Sequence, residues 1–378
     1  MSSDVEVQTV PLVDLAAQQA EVHDEVMAEL DTVLRSASFI GGPAVASFEA
    51  AYASFVGARH CAGVANGTDA LELALRAGGV RRGGEVIMPA NTFIATAEAV
   101  SRIGAVPVPV DVDPSYLLID PDAAAAAVTS RTQAIVPVHL FGQTAFMERL
   151  IPVAESCGAV IIEDAAQSQG ATRFGRHAGT WGLAAGTSFY PGKNLGAAGD
   201  AGAVLTSDAG VDAHVRLLGA HGSSVKYRHD AIGFNSRLDT VQAVVLRAKL
   251  ARLQGWNLRR RAAAERYAAL LADVPGVELP REAPGNADVW HLYVVRVRNR
   301  DAVLGSLHAS GIQAGIHYPV PVHRSGAYAG RTIGSFPVAE DAAGRILSLP
   351  LFPHITAEQQ ERVAGALAAA VSCAAAKP

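Results

Sequence analysis

The chain has 378 residues, of which 50% are hydrophobic and 18% are charged, and its formal net charge is −5. This balance is typical of a globular protein of about two to three domains, and it does not favour a nucleic-acid partner because no dense run of lysine and arginine occurs. No apolar run reaches the ~18 residues of a membrane-spanning helix, and the three widely spaced cysteines form neither a disulfide framework nor a zinc-binding pattern. We therefore expect a cytoplasmic protein with no membrane partner and no metal site.

The first segment with a chemical signature is the turn at residues 66–69. Apolar positions at helical spacing precede it and predict helices over about 18–34 and 46–55. A short apolar run ends at this turn and a strong helical pattern follows, which indicates strand, turn and helix. Because free backbone N–H groups at a helix N-terminus favour an anion, Gly67 and Thr68 are candidate phosphate ligands. Ordinary capping by Asn66 or Thr68 is the alternative.

Short apolar runs then alternate with helical segments as far as residue 205. Their hydrophobicity is continuous, which predicts strands buried on both faces of a mostly parallel sheet. Ligands of such sheets bind beyond the carboxyl ends of the strands. Three candidate residues follow or close such runs, namely Phe93, Asp164 and Lys193.

Lys193 lies in a glycine-rich segment between two strand-like runs. A partly desolvated lysine has a lowered pKa and can attack a carbonyl group to form a Schiff base. A P-loop is excluded, since it needs four residues between its glycines and Ser or Thr after the lysine, whereas five separate Gly186 from Gly192 and Asn194 follows. A hairpin whose lysine points into water is the remaining alternative.

Asp164 closes an apolar run, and a buried carboxylate needs a cationic partner. A protonated pyridine nitrogen would be such a partner, and the pair would make the ring an electron sink. Gln167 could bond the phenolic oxygen of that ring, and Phe93 could stack on its face. With the phosphate-binding turn and Lys193, these residues describe a site for pyridoxal 5′-phosphate. A helix cap or a structural ion pair is the alternative for Asp164, and core packing is the alternative for Phe93.

In the second half of the chain, long helical patterns replace the alternating short apolar runs and helices. Two long helices are predicted over 239–253 and 258–271, separated by residues 254–257. A strand-like run, a helix, a loop rich in proline and histidine and a closing helix follow, which indicates a smaller α+β domain. We predict a large cofactor-binding domain over 1–255, whose N-terminal helix is free to pack on the second domain, and a small C-terminal domain over 256–378.

Seven segments, in order along essentially the whole chain, together resemble the DegT/DnrJ/EryC1/StrS aminotransferases. They are NGTDAL at 66–71, PANTF at 89–93, PVHLFG at 137–142, EDAAQ at 163–167, SFYPGKNLG at 188–196, GFNSRLD at 233–239 and HYPVPVH at 317–323. The resemblance implies the α/β architecture of fold type I pyridoxal-phosphate-dependent aminotransferases, with a mixed, mostly parallel seven-stranded sheet in the large domain and a smaller α+β C-terminal domain. It also implies a homodimer with shared active sites.

The resemblance assigns roles to single residues. Lys193 becomes the lysine that binds the cofactor and moves the proton, Asp164 the partner of the pyridine nitrogen, and Gln167 the partner of the phenolic oxygen. The residues matching phosphate contacts are Gly67, Thr68 and Ser188, with Asn235 reaching the phosphate from the neighbouring subunit. Dehydratases of the family carry histidine in place of the lysine, so Lys193 favours transamination.

The segments around Lys193 and at 221–227 resemble the enzymes that aminate C-3 of nucleotide-linked keto-hexoses. The implied function is amino transfer from L-glutamate to a dTDP-linked deoxy-keto-hexose in amino-sugar or antibiotic biosynthesis. Candidates for the nucleotide-sugar site are Tyr190, Lys226, Tyr227, His229, Arg237, His317 and Tyr318, whose basic members suit a diphosphate. Phe39 stands where such enzymes often carry tyrosine. The alternatives are C-4 amination, an aminotransferase or dehydratase acting on a keto-cyclitol, and a catalytically silent cofactor-binding regulator.

Overall fold

The structure, a computed structural model, describes residues 9–330 and 334–375. Its helices are α1 (Leu15–Ala20), α2 (His23–Ser36), α3 (Pro43–Val56), α4 (Gly67–Ala77), α5 (Ala95–Arg102), α6 (Pro121–Ala126), α7 (Met147–Cys157), α8 (Ala209–Gly219), α9 (Thr240–Leu271), α10 (Arg300–Ala309), α11 (Pro337–Arg345) and α12 (Ala357–Ala375). Two short 3₁₀ helices cover Leu140–Gly142 and Val322–Arg324.

The strands are β1 (His60–Val64), β2 (Glu85–Pro89), β3 (Val106–Val110), β4 (Thr132–Ile135), β5 (Val160–Asp164), β6 (Thr172–Arg173), β7 (Arg176–His177), β8 (Ala184–Ser188), β9 (Gly202–Thr206), β10 (Ser223–Val225), β11 (Arg228–His229), β12 (Val277–Glu278), β13 (Asn286–Ala287), β14 (Tyr293–Val297) and β15 (Ile346–Leu349).

A seven-stranded sheet in the order β1-β9-β8-β5-β4-β2-β3 forms the centre of the larger unit. Strand β9 runs antiparallel to both of its neighbours, and the other pairs are parallel. The consecutive residues Ile161 and Ile162 belong to different hydrophobic clusters, so helices cover both faces of the sheet. The predicted mixed, mostly parallel sheet of seven strands is confirmed.

A smaller unit is built on the antiparallel sheet β12-β14-β15, against which α10, α12 and the end of α9 pack. The N-terminal segment also contacts this unit, because Val10 bridges to Ile312 and Glu21 accepts a hydrogen bond from His354. The proposed division between residues 255 and 256 falls within α9 and stays a prediction.

The two helices predicted over 239–253 and 258–271 are one continuous helix, α9, so the break at 254–257 is wrong. A glycine inside a helix costs only about 1 kcal/mol relative to alanine. Burial of the next side chain outweighs that cost, since Trp256 is 1% exposed and its indole N–H donates to Glu21 at 2.9 Å.

Within the described residues, no helix combines the length and the apolar character needed to cross a membrane.

Candidate active site

The predicted site residues of the large unit meet at the carboxyl edge of its sheet. Asp164 is the last residue of β5, and Lys193 lies in the loop that follows β8. Phe93 follows β2, and Gly67 begins α4 directly after β1. Parallel strands and their following loops deliver these groups to one edge, as the sequence predicted.

Asp164 is buried and both of its carboxylate oxygens accept hydrogen bonds. The Thr96 hydroxyl donates to Oδ2 at 2.8 Å, and the backbone N–H of Ala166 donates to Oδ1 at 3.2 Å. Burial raises the pKa of this carboxyl, while those two bonds and the nearby side chains of Lys193 and His139 limit the rise. A cation bound beside this carboxylate would favour its ionised form and oppose the effect of burial.

The environment of Lys193 favours the neutral form of its amine more than water does. Burial lowers its pKa to about 8, although the nearby Asp164 carboxylate opposes the shift. Its loop is held by backbone bonds from Lys193 to Tyr190 and from Ala197 to Phe189, both 2.8 Å. The unprotonated amine, which is the form that attacks a carbonyl carbon, is therefore a minor species at pH 7 and the main species above pH 8.

Asn194, the residue after the lysine, holds the same loop in place through its side chain. Asn194 is buried, and its amide nitrogen donates to Asn257 at 3.0 Å and to the carbonyl of Val289 at 2.9 Å. Its amide oxygen faces His291 Nδ1 at 3.2 Å. Because that oxygen must accept, His291 carries its proton on Nδ1. The network connects the Lys193 loop to α9 and to the segment before β14.

The N-terminus of α4 and the end of β8 form a cradle that only small residues permit. A Cβ atom added at Gly67 would lie 2.5 Å from the Ser188 Cβ, and one added at Gly202 would lie 2.4 Å from the carbonyl oxygen of Asn66. Asn66 caps the helix, its side chain accepting the N–H of Asp69 at 2.8 Å. The Asp69 N–H is thus occupied, and the N–H groups of Gly67 and Thr68 stay available for an anion beside Ser188.

Phe93, Gln167 and Tyr318 form a connected group. Gln167 accepts the backbone N–H of Phe141 at 2.7 Å and donates to the Tyr318 hydroxyl at 3.0 Å. The rings of Tyr318 and Phe93 are 5.2 Å apart between centroids, and 52% of the Phe93 surface is exposed. Burial, with the nearby Asp164 charge, raises the pKa of Tyr318, so its phenol is protonated. Phe93 is thus open to a ligand rather than part of the core.

His317 and Tyr190 are the remaining predicted site residues near Lys193. His317 bonds Ser348 through Nδ1 at 2.9 Å, and burial together with the charge of Lys193 lowers its pKa. Tyr190 is 58% exposed, and its backbone N–H donates to the Ser188 hydroxyl at 3.2 Å. Both residues therefore flank the cluster around Lys193.

A second set of predicted residues lies apart from this cluster. Its members are exposed and sit on or just after the β10–β11 hairpin, namely Lys226, Tyr227, His229, Asn235 and Arg237. Their contacts are local: Lys226 lies over the Tyr227 ring at 5.1 Å, and Arg237 donates to Asn235 at 3.1 Å. Across residues 9–330 and 334–375, no hydrogen bond, ion pair or ring contact joins them to Lys193 or Asp164.

Sequence reasoning missed the residues that support Asp164. Thr92 lies in the loop after β2 and Thr96 in the first turn of α5, so their contact leaves no helical spacing in the sequence. His139 and Glu163 are fully buried and bonded at 2.8 Å. The Glu163 carboxylate also accepts three backbone N–H groups, those of Gly179, Trp181 and Gly182.

These features fit pyridoxal 5′-phosphate. The cradle at Gly67 and Ser188 suits the phosphate, the buried carboxylate of Asp164 suits a protonated pyridine nitrogen, and Lys193 has the lowered pKa that a carbonyl-binding amine needs. Phe93 offers an exposed aromatic ring on which a pyridine ring could stack.

The comparison with protein-family models gives a match over residues 20–368 to the DegT/DnrJ/EryC1/StrS aminotransferase family. A relative from Saccharopolyspora erythraea, named erythromycin biosynthesis sensory transduction protein EryC1, is 47% identical, covering 95% of this chain and 99% of the relative. A dTDP-3-amino-3,4,6-trideoxy-alpha-D-glucose transaminase from Streptomyces venezuelae is 46% identical, covering 97% of each. A UDP-N-acetyl-3-dehydro-alpha-D-glucosamine 3-aminotransferase from Acidithiobacillus ferrooxidans is 45% identical, covering 94% and 96%.

Solved structures agree. DesV from S. venezuelae superposes with a TM-score of 0.93 at 46% identity, covering 96% of this chain and 98% of DesV. NtdA from Bacillus subtilis, solved with the bound cofactor PMP, superposes with a TM-score of 0.90 at 32% identity, covering 98% and 87%. Fold, site and relatives define the chain as a pyridoxal-phosphate-dependent aminotransferase. It belongs to the DegT/DnrJ/EryC1/StrS aminotransferase family.

Proposed function

We propose that this enzyme transfers the amino group of L-glutamate to the C-3 keto group of a nucleotide-linked deoxy-keto-hexose, with dTDP as the nucleotide, in amino-sugar biosynthesis. The observation that carries the proposal is the buried Lys193 beside Asp164 in a chain that is 46% identical, over nearly its whole length, to a dTDP-3-amino sugar transaminase. The relative from A. ferrooxidans is also named for amination at position 3, although its nucleotide is UDP. The sugar position is thus common to both names.

In this proposal the residues of the chain divide the work. Pyridoxal 5′-phosphate, when bound, supplies an electron sink for the carbanion that forms at the amino-acid α-carbon. Asp164 holds its pyridine nitrogen in the charged form, and Gly67, Thr68 and Ser188 hold its phosphate. Lys193 holds the cofactor through its amine at rest, and when freed it takes the substrate proton on Nζ and returns it.

The groups around the ring position and enclose it. Gln167 is proposed to bond the phenolic oxygen with the amide hydrogen that Tyr318 does not occupy. Phe93 and Tyr318, in ring contact, cover one side and exclude water. Tyr190 and His317 flank the place where a sugar would enter, and we propose that they contact it.

We propose further that the enzyme is a homodimer in which each copy completes the site of the other. Asn235 and Arg237 are exposed in the single chain, and the same hairpin region carries Tyr227 at 84% and Ile232 at 99% exposure. Large apolar side chains this exposed indicate an interaction surface. In this arrangement a second copy brings Asn235 to the phosphate, and the basic residues Lys226, His229 and Arg237 to the diphosphate. This would explain why, among the described residues, none of them contacts Lys193 of its own chain.

A cytoplasmic location is proposed from cysteine usage. Cys61, Cys157 and Cys373 are free thiols, and Cys61 is buried. Thiols are kept reduced in the cytoplasm.

The reaction run backwards tests the proposal. Holoenzyme is given 2-oxoglutarate with either a dTDP-3-amino or a dTDP-4-amino deoxyhexose, and L-glutamate is quantified. We expect glutamate from the 3-amino sugar and little from the 4-amino isomer. Glutamate from the 4-amino sugar alone, or from an aminocyclitol alone, would reject C-3 specificity. No glutamate from any of these amino sugars, together with no half-reaction of the holoenzyme with L-glutamate, would instead favour a catalytically silent regulator.

A further inference from the structure

The hydroxyl groups of two threonines form a chain of hydrogen bonds that ends at the carboxylate of Asp164. Thr96 Oγ1 donates to Asp164 Oδ2 at 2.8 Å, and the Thr92 and Thr96 hydroxyl oxygens are 2.8 Å apart. A hydroxyl has one proton, and Thr96 gives its proton to Asp164, so Thr92 is the donor to Thr96. All three side chains are buried, with Thr92 2% and Thr96 1% exposed.

The local fold explains this arrangement. Thr92 lies in the loop after β2 and Thr96 in the first turn of α5, whose start is held by the bond from the Thr96 N–H to the carbonyl of Phe93 at 3.2 Å. Asp164 comes from β5, two strands away across the sheet. The hydroxyl chain therefore ties the loop that carries Phe93 to the strand that carries Asp164.

We propose that Thr96, itself oriented by Thr92, is a positioning residue for Asp164, holding Oδ2 so that the carboxylate stays ionised and aimed at the cofactor nitrogen. This inference rests on the proposed role of Asp164. Neither threonine touches the reacting atoms in this scheme, and both act through the carboxylate.

The hydrogen bond from Thr96 has a large effect on the ionisation of Asp164. Burial raises the pKa of Asp164, and the Thr96 hydroxyl is the strongest of the groups that oppose the rise. The other neighbours that face the carboxylate are the Ala166 N–H, Lys193 and His139, with Tyr318 nearby. A hydrogen bond to a charged acceptor in a buried site is roughly twice as strong as a neutral one. Losing it moves the ionisation of Asp164 to higher pH.

The test is the pH dependence of cofactor binding, measured with pyridoxamine 5′-phosphate because its binding needs no covalent bond to Lys193. Dissociation constants are determined by equilibrium dialysis between pH 5 and 9 for apoenzyme and variants. We expect Thr96→Val to move the acid-side loss of affinity to higher pH by about one unit, which is about ten-fold weaker binding in that range. Thr96→Ser restores the profile, and Thr92→Val gives a smaller shift in the same direction.

A matched control is Thr144→Val, since Thr144 is fully buried and its hydroxyl has no partner among the described residues. This variant is expected to keep the wild-type profile. A Thr96→Val profile that equals the wild type, while Asp164→Asn loses binding, would overturn the positioning role alone. Wild-type binding by Asp164→Asn at every pH would overturn the role of Asp164 in the proposed function. If Thr96→Val does not fold, Thr96→Ala is used in its place, because it also removes the hydroxyl that donates to Asp164.

Discussion

Gln167 donates a hydrogen bond from its amide nitrogen to the Tyr318 hydroxyl at 3.0 Å. The bond joins the loop after Asp164, in the large unit, to the loop rich in proline and histidine that precedes the second 3₁₀ helix. Gln167 is fixed from the other side by the Phe141 N–H, so it has one orientation. The loop that carries His317 is thereby attached to the loop that follows Asp164.

Replacing Tyr318 with phenylalanine removes this bond and keeps the ring contact with Phe93. A net contribution of about 1 kcal/mol for a neutral hydrogen bond predicts roughly five-fold weaker binding of the amino-sugar substrate, with little change in global stability. Steady-state KM and kcat measured in the reverse assay provide the check. Tyr116→Phe is the control, because the Tyr116 ring packs on Phe146 and no hydrogen bond of its hydroxyl is found in the described residues. An unchanged KM in Tyr318→Phe would contradict the role given to this loop.

Lys193 should react with the cofactor as a group whose pKa is about 8. Burial disfavours the ammonium form and so lowers the pKa. The neutral amine is therefore the minor form below pH 8 and the dominant form above it. The rate at which pyridoxal 5′-phosphate added to apoenzyme develops its lysine-bound absorption band is therefore predicted to rise with pH, with a midpoint near 8. A midpoint at about 10.4, the ordinary value for lysine, would show that Lys193 is solvated.

A shared active site makes a sharp prediction for mixed dimers. Lys193→Ala and Asn235→Ala are each expected to be nearly inactive alone. In a heterodimer of the two, one site contains an intact Lys193 together with Asn235 of the other copy, and activity should return to about one quarter of the wild type after random mixing of dimers. If Asn235 served the site of its own chain, every site in the mixture would lack one of the two residues and no activity would return.

Glu21 should stabilise the contact of the N-terminal helices with the rest of the chain. Partial burial alone would raise the pKa of its carboxyl, but hydrogen bonds from Arg259, His354 and Trp256 lower it to about 2. A lowered carboxyl pKa adds stability above the ordinary value of 4.5 that is lost as the pH falls toward 2.

Glu21→Gln is therefore expected to cost about 1–2 kcal/mol of the free energy of unfolding at pH 7, and less as the pH is lowered below the ordinary glutamate value. Thermal unfolding at several pH values measures the difference. Glu25→Gln is the matched control, because the pair it forms with Arg252 is exposed and contributes little. An equal loss in the two variants would contradict a specific contribution of Glu21.

The sequence allowed the placement of these side chains at the sheet edge to be predicted because strand ends and glycine turns are local features. Asp164 ends a continuous apolar run, Lys193 lies between glycines, and Gly67 begins a helix after a short strand. Each is recognisable without knowledge of the packing. The two-sided burial of the sheet follows from the same continuous runs.

The features that the sequence analysis missed depend on contacts between residues that are distant in the sequence. The hydroxyl of Thr96 has a partner 68 positions away, and the His139–Glu163 pair is separated by 24 positions, so neither contact leaves a local pattern. The helix break near Gly255 was wrong because burial of Trp256 exceeds the local cost of glycine. The roles proposed for the exposed residues near 226–237 require the proposed second copy, which no local pattern specifies.

The assignment of Lys193 as the amine that carries the reaction is tested most directly by a single-turnover measurement. Holoenzyme, Lys193→Ala and Lys249→Met, each loaded with pyridoxal 5′-phosphate, are mixed with L-glutamate while the visible spectrum and the 2-oxoglutarate formed are recorded. Lys249 is the matched control, as a second buried lysine whose pKa burial also lowers. Wild type and Lys249→Met are predicted to lose the band of the lysine-bound cofactor and release one 2-oxoglutarate per site, whereas Lys193→Ala releases none. Release of 2-oxoglutarate by Lys193→Ala at the wild-type rate would contradict the account.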